Sequence, residues 1–426
     1  MAHELLRFAT AGSVDDGKST LVGRLLHDTK SVLADQLDAV TRASIERGGD
    51  EADLALLTDG LRAEREQGIT IDVAYRYFST VNRSFILADT PGHVQYTRNM
   101  VTGASTADLA LVLVDVRHGV VEQTRRHAAV AALLGVRHIA LAVNKIDLVD
   151  YSEDAYRSVV TDFTAVAKSL GVDDVVAIPV SALRGDNVVD RSTQTTWYTG
   201  PTLLEYLETV PVGVNPAATP LRLPVQYVNR PRNAEFPDFR GYSGRLASGV
   251  VTVGDQVLIA PLGRRTTVTG VQVLGVDVEE AFSPQSVTVL LADDFDINRG
   301  DVIVAVDAGA DGPTALHKEP TITQDLVGTI CVVSDQPISA GQQLLVRVGP
   351  QTVRGMVASV EDRLDLVTLA HEPFDGELKV NDVGTVRIRL ADPIAIDSYT
   401  DLRTTGAFLL VDDQDGATLA GGMARC

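Results

Sequence analysis

Gly12-Ser13-Val14-Asp15-Asp16-Gly17-Lys18-Ser19 sets the architecture of the first half of this 426-residue chain. It fits G-x-x-x-x-G-K-[ST], and its surroundings are those the pattern needs. A short apolar run, residues 6–12, leads into it, and a helical stretch, residues 17–28, leads out with Leu21, Leu25 and Leu26 on one face. Glycines at both ends let backbone N–H groups wrap phosphates, and the first helical turn adds partial positive charge. Lys18 is placed to reach the β- and γ-phosphates. The Ser19 hydroxyl, followed by Thr20, is placed to bind Mg²⁺. A glycine-rich turn matching by chance is the alternative, and the rest of the chain bears on it.

Working outward, residues 84–90, 107–116, 138–147 and 175–183 are short apolar runs that end in polar residues. Such runs predict buried parallel strands whose C-terminal ends carry functional loops. Helical stretches lie between them, among them residues 121–135 and 155–171, closed by Gly135 and Gly171. The pattern is βαβ, so the fold class expected is an α/β phosphate-loop domain with a parallel sheet and helices on both faces. An insert from about Asp28 to Gln67 reads as two helices feeding a flexible loop, with a turn at Gly48–Asp53.

Four further segments stand at the ends of these runs. Asp89-Thr90-Pro91-Gly92-His93 offers an acid that can hold Mg²⁺ through water and a Gly92 N–H that can sense a γ-phosphate. Gly68-Ile69-Thr70 offers a threonine that can close over Mg²⁺ when triphosphate is bound. Asn144-Lys145-Ile146-Asp147-Leu148 and Ser181-Ala182-Leu183 select the base. Guanine presents adjacent N1–H and N2–H donors that the Asp147 carboxylate accepts as a pair, and adenine has no such pair. Asn144 can bond the N7/O6 edge or tie the neighbouring loop, the Lys145 stem can lie over the ring, and the Ala182 N–H can meet O6. GTP and GDP are therefore the expected ligands, with Mg²⁺.

Composition excludes several other classes. Apolar residues at 45% and charged residues at 22% are those of a globular chain rather than a disordered one. At about 150 residues per domain, the length suggests three domains. A net charge of −20 makes the whole chain a poor match for a phosphate backbone, so no nucleic-acid partner is expected. Cys331 and Cys426 make no framework and have no metal spacing. The N-terminus lacks a cationic segment followed by a long apolar core, and the longest apolar runs, such as Leu109–Val114, fall far short of the ~20 residues that span a bilayer. No membrane partner and a cytoplasmic location are expected.

The pattern changes near residue 211. Residues 211–220, PVGVNPAATP, read as a linker. Beyond them come short strands separated by Gly, Asp and Pro, among them 247–261, 286–294, 299–306, 342–350, 352–362 and 384–393, which predict closed all-β domains. A second proline-containing stretch, residues 307–320, divides them. The expected organisation is residues 1–213 for the phosphate-loop domain, 214–315 for a first β-barrel and 316–426 for a second.

Taken together, residues 12–26, 57–78, 89–115, 144–148, 197–208 and 291–301 carry a resemblance that covers essentially the whole chain and thins toward the C-terminus. The first ~210 residues resemble the GTPase domain of translational GTPases such as elongation factor Tu, a family in which two β-barrels follow. The chain resembles more closely the GTP-binding large subunit of bacterial sulfate adenylyltransferase. Asp16, where elongation factors usually carry histidine, Tyr75-Arg76-Tyr77-Phe78, and Gln95 to Ser105 favour that branch. The alternative is an elongation-factor-Tu-like carrier of aminoacyl-tRNA.

The resemblance implies a heterodimer with a separate catalytic small subunit, which joins ATP and sulfate into adenylyl sulfate and pyrophosphate. It also implies GTP hydrolysis coupled to that uphill step. Some relatives carry a fused adenylylsulfate kinase after the barrels; no second phosphate-loop motif occurs here, so none is expected in this chain. His93 matches the family's water-orienting histidine, flanked by the apolar pair Val14 and Ile69, and Asp15 matches a carboxylate near the phosphates. Asp16 is expected to face outward. A run of acids, Asp293 to Asp296, reads as a solvated barrel loop, Arg125-Arg126-His127 as a solvated helix face, and Trp197 and Tyr198 as packing residues.

Overall fold

The computed structural model describes residues 4–32, 34–46, 53–57, 72–92, 97–213, 215–231, 239–306, 318–365, 368 and 370–426. The chain divides into two units, residues 1–213 with the short segment 365–370, and residues 214–364 with 371–426.

The first unit is built on six strands: β1 (Leu5–Ala11), β2 (Ala74–Ser79), β3 (Ser84–Asp89), β4 (Leu109–Asp115), β5 (His138–Asn144) and β6 (Val175–Pro179). Their order across the sheet is β2-β3-β1-β4-β5-β6. β4 is buried at every residue, and β5 at all but its first. Strands covered on both faces read as the unbroken apolar runs seen in the sequence. The sheet is not wholly parallel: β2 runs antiparallel to β3. Residues 80–83 are too short for a crossover helix, and Thr80 N–H donates to the Arg83 carbonyl at 2.9 Å, so the connection is a hairpin.

Among the described residues of this unit, the sheet is accompanied by helices α1 (Lys18–Asp28), α2 (Ala34–Glu46), α3 (Thr97–Ala104), α4 (Glu122–Leu133), α5 (Glu153–Ser169) and α6 (Leu203–Thr209). Leu21, Leu25 and Leu26 of α1 are buried in one cluster with Phe8, Phe78 and Phe85. Phe78 stacks on Phe85 at 4.6 Å, and Phe8 meets both edge-on, an arrangement aromatic quadrupoles favour. Trp197 packs on Tyr156 at 5.1 Å and donates to the Tyr151 carbonyl, as a packing residue should.

Strand register aligns the functional ends. Thr10 pairs with Asp89, and Asp115 pairs with Asn144. The loops leaving β1, β3, β4, β5 and β6 therefore open on one edge of the sheet.

Among its described residues the second unit is all β apart from short helical turns. One eight-stranded sheet is formed within residues 222–305 and a seven-stranded sheet within 321–424. Each encloses its own apolar cluster. Arg222 and Asp397 join the two parts, with Arg222 Nε 3.0 Å from Asp397 Oδ2 and Nη2 2.9 Å from Oδ1. Both are buried, and the Thr405 hydroxyl also donates to Asp397 at 2.6 Å. The acid run is exposed at Asp293, Asp294 and Asp296, as a solvated loop should be, with Asp293 accepting from Thr266 and Asp294 pairing with Arg230 and Arg240.

Candidate nucleotide site

The loop after β1 supplies the first wall of the site. Gly17 takes φ 90°, a left-handed conformation suited to glycine, and caps α1. A Cβ there would sit 2.5 Å from Asn144 Nδ2, so the loop and the end of β5 meet at a glycine. Lys18 is buried, and its ammonium donates to the Gly12 and Ser13 carbonyls at 2.9 and 2.8 Å. Burial pushes the Lys18 amine down from its ordinary value, while the charges of Asp89, Asp16 and Asp15 act the other way. Ser19 and Thr20 follow in the first turn of α1, half-buried.

Asp16 does not face outward. It is buried, and its carboxylate accepts from the Ser13 N–H at 2.5 Å, bracing the loop from within. A buried carboxylate needs such a donor, and the loop's own amide is the nearest. Burial pushes its pKa up, against that hydrogen bond and the Lys18 charge. Asp15 and Val14 are exposed at the loop's crest, and Asp15 takes φ 69°.

The end of β3 supplies the second wall. The Thr10 hydroxyl donates to Asp89 Oδ1 at 2.8 Å, and the Thr90 hydroxyl donates to the Thr10 carbonyl at 2.5 Å. Gly92 then passes so close to the phosphate loop that a Cβ would collide with the Lys18 ammonium and the Gly12 carbonyl. Gly68, Ile69, Thr70 and His93 lie outside the described residues.

The ends of β5 and β6 form the third wall. Asn144 is buried; its amide donates to the Asp16 carbonyl at 2.7 Å, and its oxygen accepts from the Ala182 N–H at 3.0 Å. One side chain thus ties together the phosphate loop and two strand ends. Lys145 donates to the Asp15 carbonyl at 2.5 Å. Asp147, with its side chain 8% exposed, lies 3.7 Å from Arg184. Ser181 and Ala182 are buried, while Leu148 and Leu183 are exposed. Arg24 of α1 donates to the Ala182 and Leu183 carbonyls and fixes that loop.

Three residues here are given no role at the site by the sequence reading, and one of them, His127, is placed by it on a solvated face. His127 is buried rather than on a solvated face, and of its tripeptide Arg125 alone is exposed. The Gly12 N–H donates to His127 Nδ1 at 3.0 Å. Burial, with the Lys18 and Arg126 charges, pushes the imidazole down to about 3, so it stays neutral and accepting at physiological pH. Gln123, one turn earlier, donates to the Gly92 carbonyl at 2.8 Å, and its amide lies 3.2 Å from His127 Nε2. α4 therefore touches both phosphate-side walls. The helical stripe Thr124, His127, Ala128, Ala131 is buried throughout, a period that could have marked His127 as inward-facing. The third residue is Asp115 at the end of β4.

A phosphate-binding loop, a strand-end acid, a close glycine and an Asn-Lys-x-Asp loop on one edge of an α/β sheet define the nucleotide-binding domain of a GTPase. Residues 3–212 match the elongation factor Tu GTP-binding domain, and residues 326–425 match the GTP-eEF1A C-terminal domain-like family. Sulfate adenylyltransferase subunit 1 of Cellvibrio japonicus is 49% identical over 422 residues, 99% of this chain and 86% of that protein. Its counterpart in Methylorubrum extorquens is 50% identical over 424 residues, 99% of this chain and 87% of that one. A Mycobacterium tuberculosis protein named bifunctional enzyme CysN/CysC is 51% identical over 420 residues, 98% of this chain and 67% of that protein.

The chain belongs to the sulfate adenylyltransferase subunit 1 family, with a GTP-binding domain followed by β-barrels. The relatives' names mark them as one subunit of a multi-subunit enzyme. Among the described residues, no helix is long and apolar enough to cross a membrane.

Proposed function

We propose that this chain hydrolyses GTP and couples that hydrolysis to formation of adenylyl sulfate and pyrophosphate from ATP and sulfate on a separate catalytic subunit, in the cytoplasm. The observation that carries the reading is the convergence of Lys18, Asp89, Gly92, Asn144 and Asp147 on one sheet edge, in a chain about half identical to sulfate adenylyltransferase subunits over nearly its full length. The three-domain division at residues 1–213, 214–315 and 316–426 is part of the same reading.

Each residue's task follows from its chemistry. Lys18 and the backbone amides from Asp15 to Thr20 hold the phosphates, with the buried ammonium strengthened by a low local dielectric. Asp147 accepts from guanine N1–H and N2–H, and the Lys145 stem covers the ring; the Ala182 N–H, expected at O6, is instead engaged by Asn144 Oδ1 at 3.0 Å. Ser19 and Asp89 are hard oxygen donors suited to Mg²⁺; Asp89 is buried and aimed by Thr10, and Thr70 is the third oxygen. Bound there, Mg²⁺ supplies charge neutralisation on the β- and γ-phosphate oxygens. His93 orients the attacking water. Gly92, packed on Lys18, is where a γ-phosphate would be felt, and it starts the segment whose position differs between GTP and GDP states.

Coupling demands that these two states hold the partner's intermediates with unequal affinity, since equal affinity shifts nothing. The test is to supply the catalytic subunit, ATP and sulfate with either GTP or a non-hydrolysable analogue. Adenylyl sulfate should accumulate beyond the uncoupled equilibrium with GTP alone. Equal accumulation with the analogue would reject coupling by hydrolysis.

A further inference from the structure

Asp115, the last residue of β4, is given no task by the sequence reading, yet it is a charge with a side chain only 1% exposed. Register sets it beside Asn144, and so beside the residue that follows. Its Oδ2 lies 3.0 Å from the Lys145 ammonium. Arg117 holds the same carboxylate, with Nη2 2.6 Å from Oδ2 and both Nε and the backbone N–H 3.0 Å from Oδ1. Burial disfavours the Asp115 carboxylate, but hydrogen bonds from Arg117 and Lys145 hold it well below the ordinary range, so it is an anion at any working pH.

The ammonium that Asp115 grips also bonds the Asp15 carbonyl at 2.5 Å. Lys145 and Asp15 both take left-handed backbone, at φ 63° and 69°. Residues with a Cβ adopt that region only when their surroundings hold them there. The three-way contact of Asp115, Lys145 and Asp15 is that restraint.

We propose that Asp115 is a positioning residue of the purine pocket, pinning the Lys145 ammonium against the phosphate loop so that the Lys145 stem forms a fixed wall for the base. The inference rests on the guanine-nucleotide reading. Asp115 acts through Lys145 and touches no nucleotide atom. Arg117 spans both oxygens of the carboxylate, sharing Oδ2 with Lys145, so that loss of Lys145 does not leave a buried charge alone.

A double-mutant cycle on the full chain tests this, with GDP affinity and dissociation rate as readouts. Asp115→Asn and Lys145→Met should each weaken GDP about tenfold, the worth of one charge-assisted hydrogen bond. The double variant should be no weaker than the worse single one, because the two residues act in series. Multiplying losses would overturn the proposal. Inosine diphosphate adds a readout that a merely structural role would move differently. It lacks the exocyclic amine that Asp147 reads, so Asp115→Asn should weaken GDP and inosine diphosphate by the same factor. Selective loss of GDP would place the effect on Asp147 and overturn the proposal.

Should Asp115→Asn not fold, Asp115→Glu takes its place in the cycle and should be silent in the Lys145→Met background. Failure of both to fold would assign Asp115 to the fold alone and overturn the positioning role. A wild-type chain that binds adenosine and guanosine diphosphates equally would overturn the guanine reading itself. A guanine-selective chain with multiplying losses would overturn this inference only.

Discussion

Replacing His127 with leucine should change how the GTPase domain's stability depends on pH. In the folded chain the imidazole is buried and held at about 3, against an ordinary value of 6.5. The folded-state value lies below the unfolded one, so the unfolded chain binds the extra proton. Stability from this group is therefore complete above about pH 6.5 and is lost as pH falls toward 3. At pH 5 the loss amounts to about 2 kcal/mol. His127→Leu removes the titration but leaves the Gly12 N–H without its acceptor, a cost of about 1–3 kcal/mol at neutral pH. The two proteins should thus differ clearly at pH 7 and converge near pH 5. Urea unfolding followed by tryptophan fluorescence is suited to this, because Trp197 is the single tryptophan and packs in the same unit as His127. Wild type should lose about 2 kcal/mol more than the variant between pH 7 and pH 5. Parallel pH dependences would refute the neutral, accepting imidazole.

Other outcomes follow from the same geometry. Gly92→Ala should abolish nucleotide-dependent behaviour, because its methyl collides with Lys18 and the Gly12 carbonyl; equilibrium binding of GTP and GDP checks this, and unchanged affinity for both would contradict it. Asp147→Asn should shift preference from guanine toward xanthine nucleotides, read by competition binding. His93→Ala should cut single-turnover hydrolysis strongly while GTP still binds, and an unchanged rate would remove its proposed role. Arg222→Met should destabilise the second unit by about 3–5 kcal/mol, because it strands the buried Asp397 carboxylate. The pair replacement Arg222→Met with Asp397→Leu should recover much of that loss in chemical denaturation.

The α/β layout was legible because its central strands β4 and β5 are covered on both faces and so read as unbroken apolar runs. The glycine-rich loop was legible because phosphate wrapping demands particular residues at particular spacing. β2 escaped that logic: it is an edge strand with Tyr75 and Tyr77 exposed, and a four-residue hairpin reverses its direction. Asp16, His127 and Asp115 escaped for a shared reason. Each is a polar residue that sequence habit assigns to solvent, and each is buried because a partner from a distant or adjoining segment satisfies it. Asp16 is answered by the Ser13 amide, His127 by Gly12 across 115 residues, and Asp115 by Lys145 and Arg117. Periodicity alone does not reveal such partners, though the buried stripe on α4 pointed at His127. The resemblance alone carries the proposed coupling to adenylyl transfer and the proposed water-orienting task of His93, which local patterns do not give.

The decisive measurement is GTP hydrolysis by this chain with Mg²⁺, alone and then with the catalytic sulfate adenylyltransferase subunit, ATP and sulfate, following GDP and adenylyl sulfate together. Strong stimulation that needs the subunit, with adenylyl sulfate rising alongside GDP, is the expected result. Slow hydrolysis untouched by that mixture but accelerated by ribosomes with charged tRNA would contradict the coupling role and place the chain's work in translation.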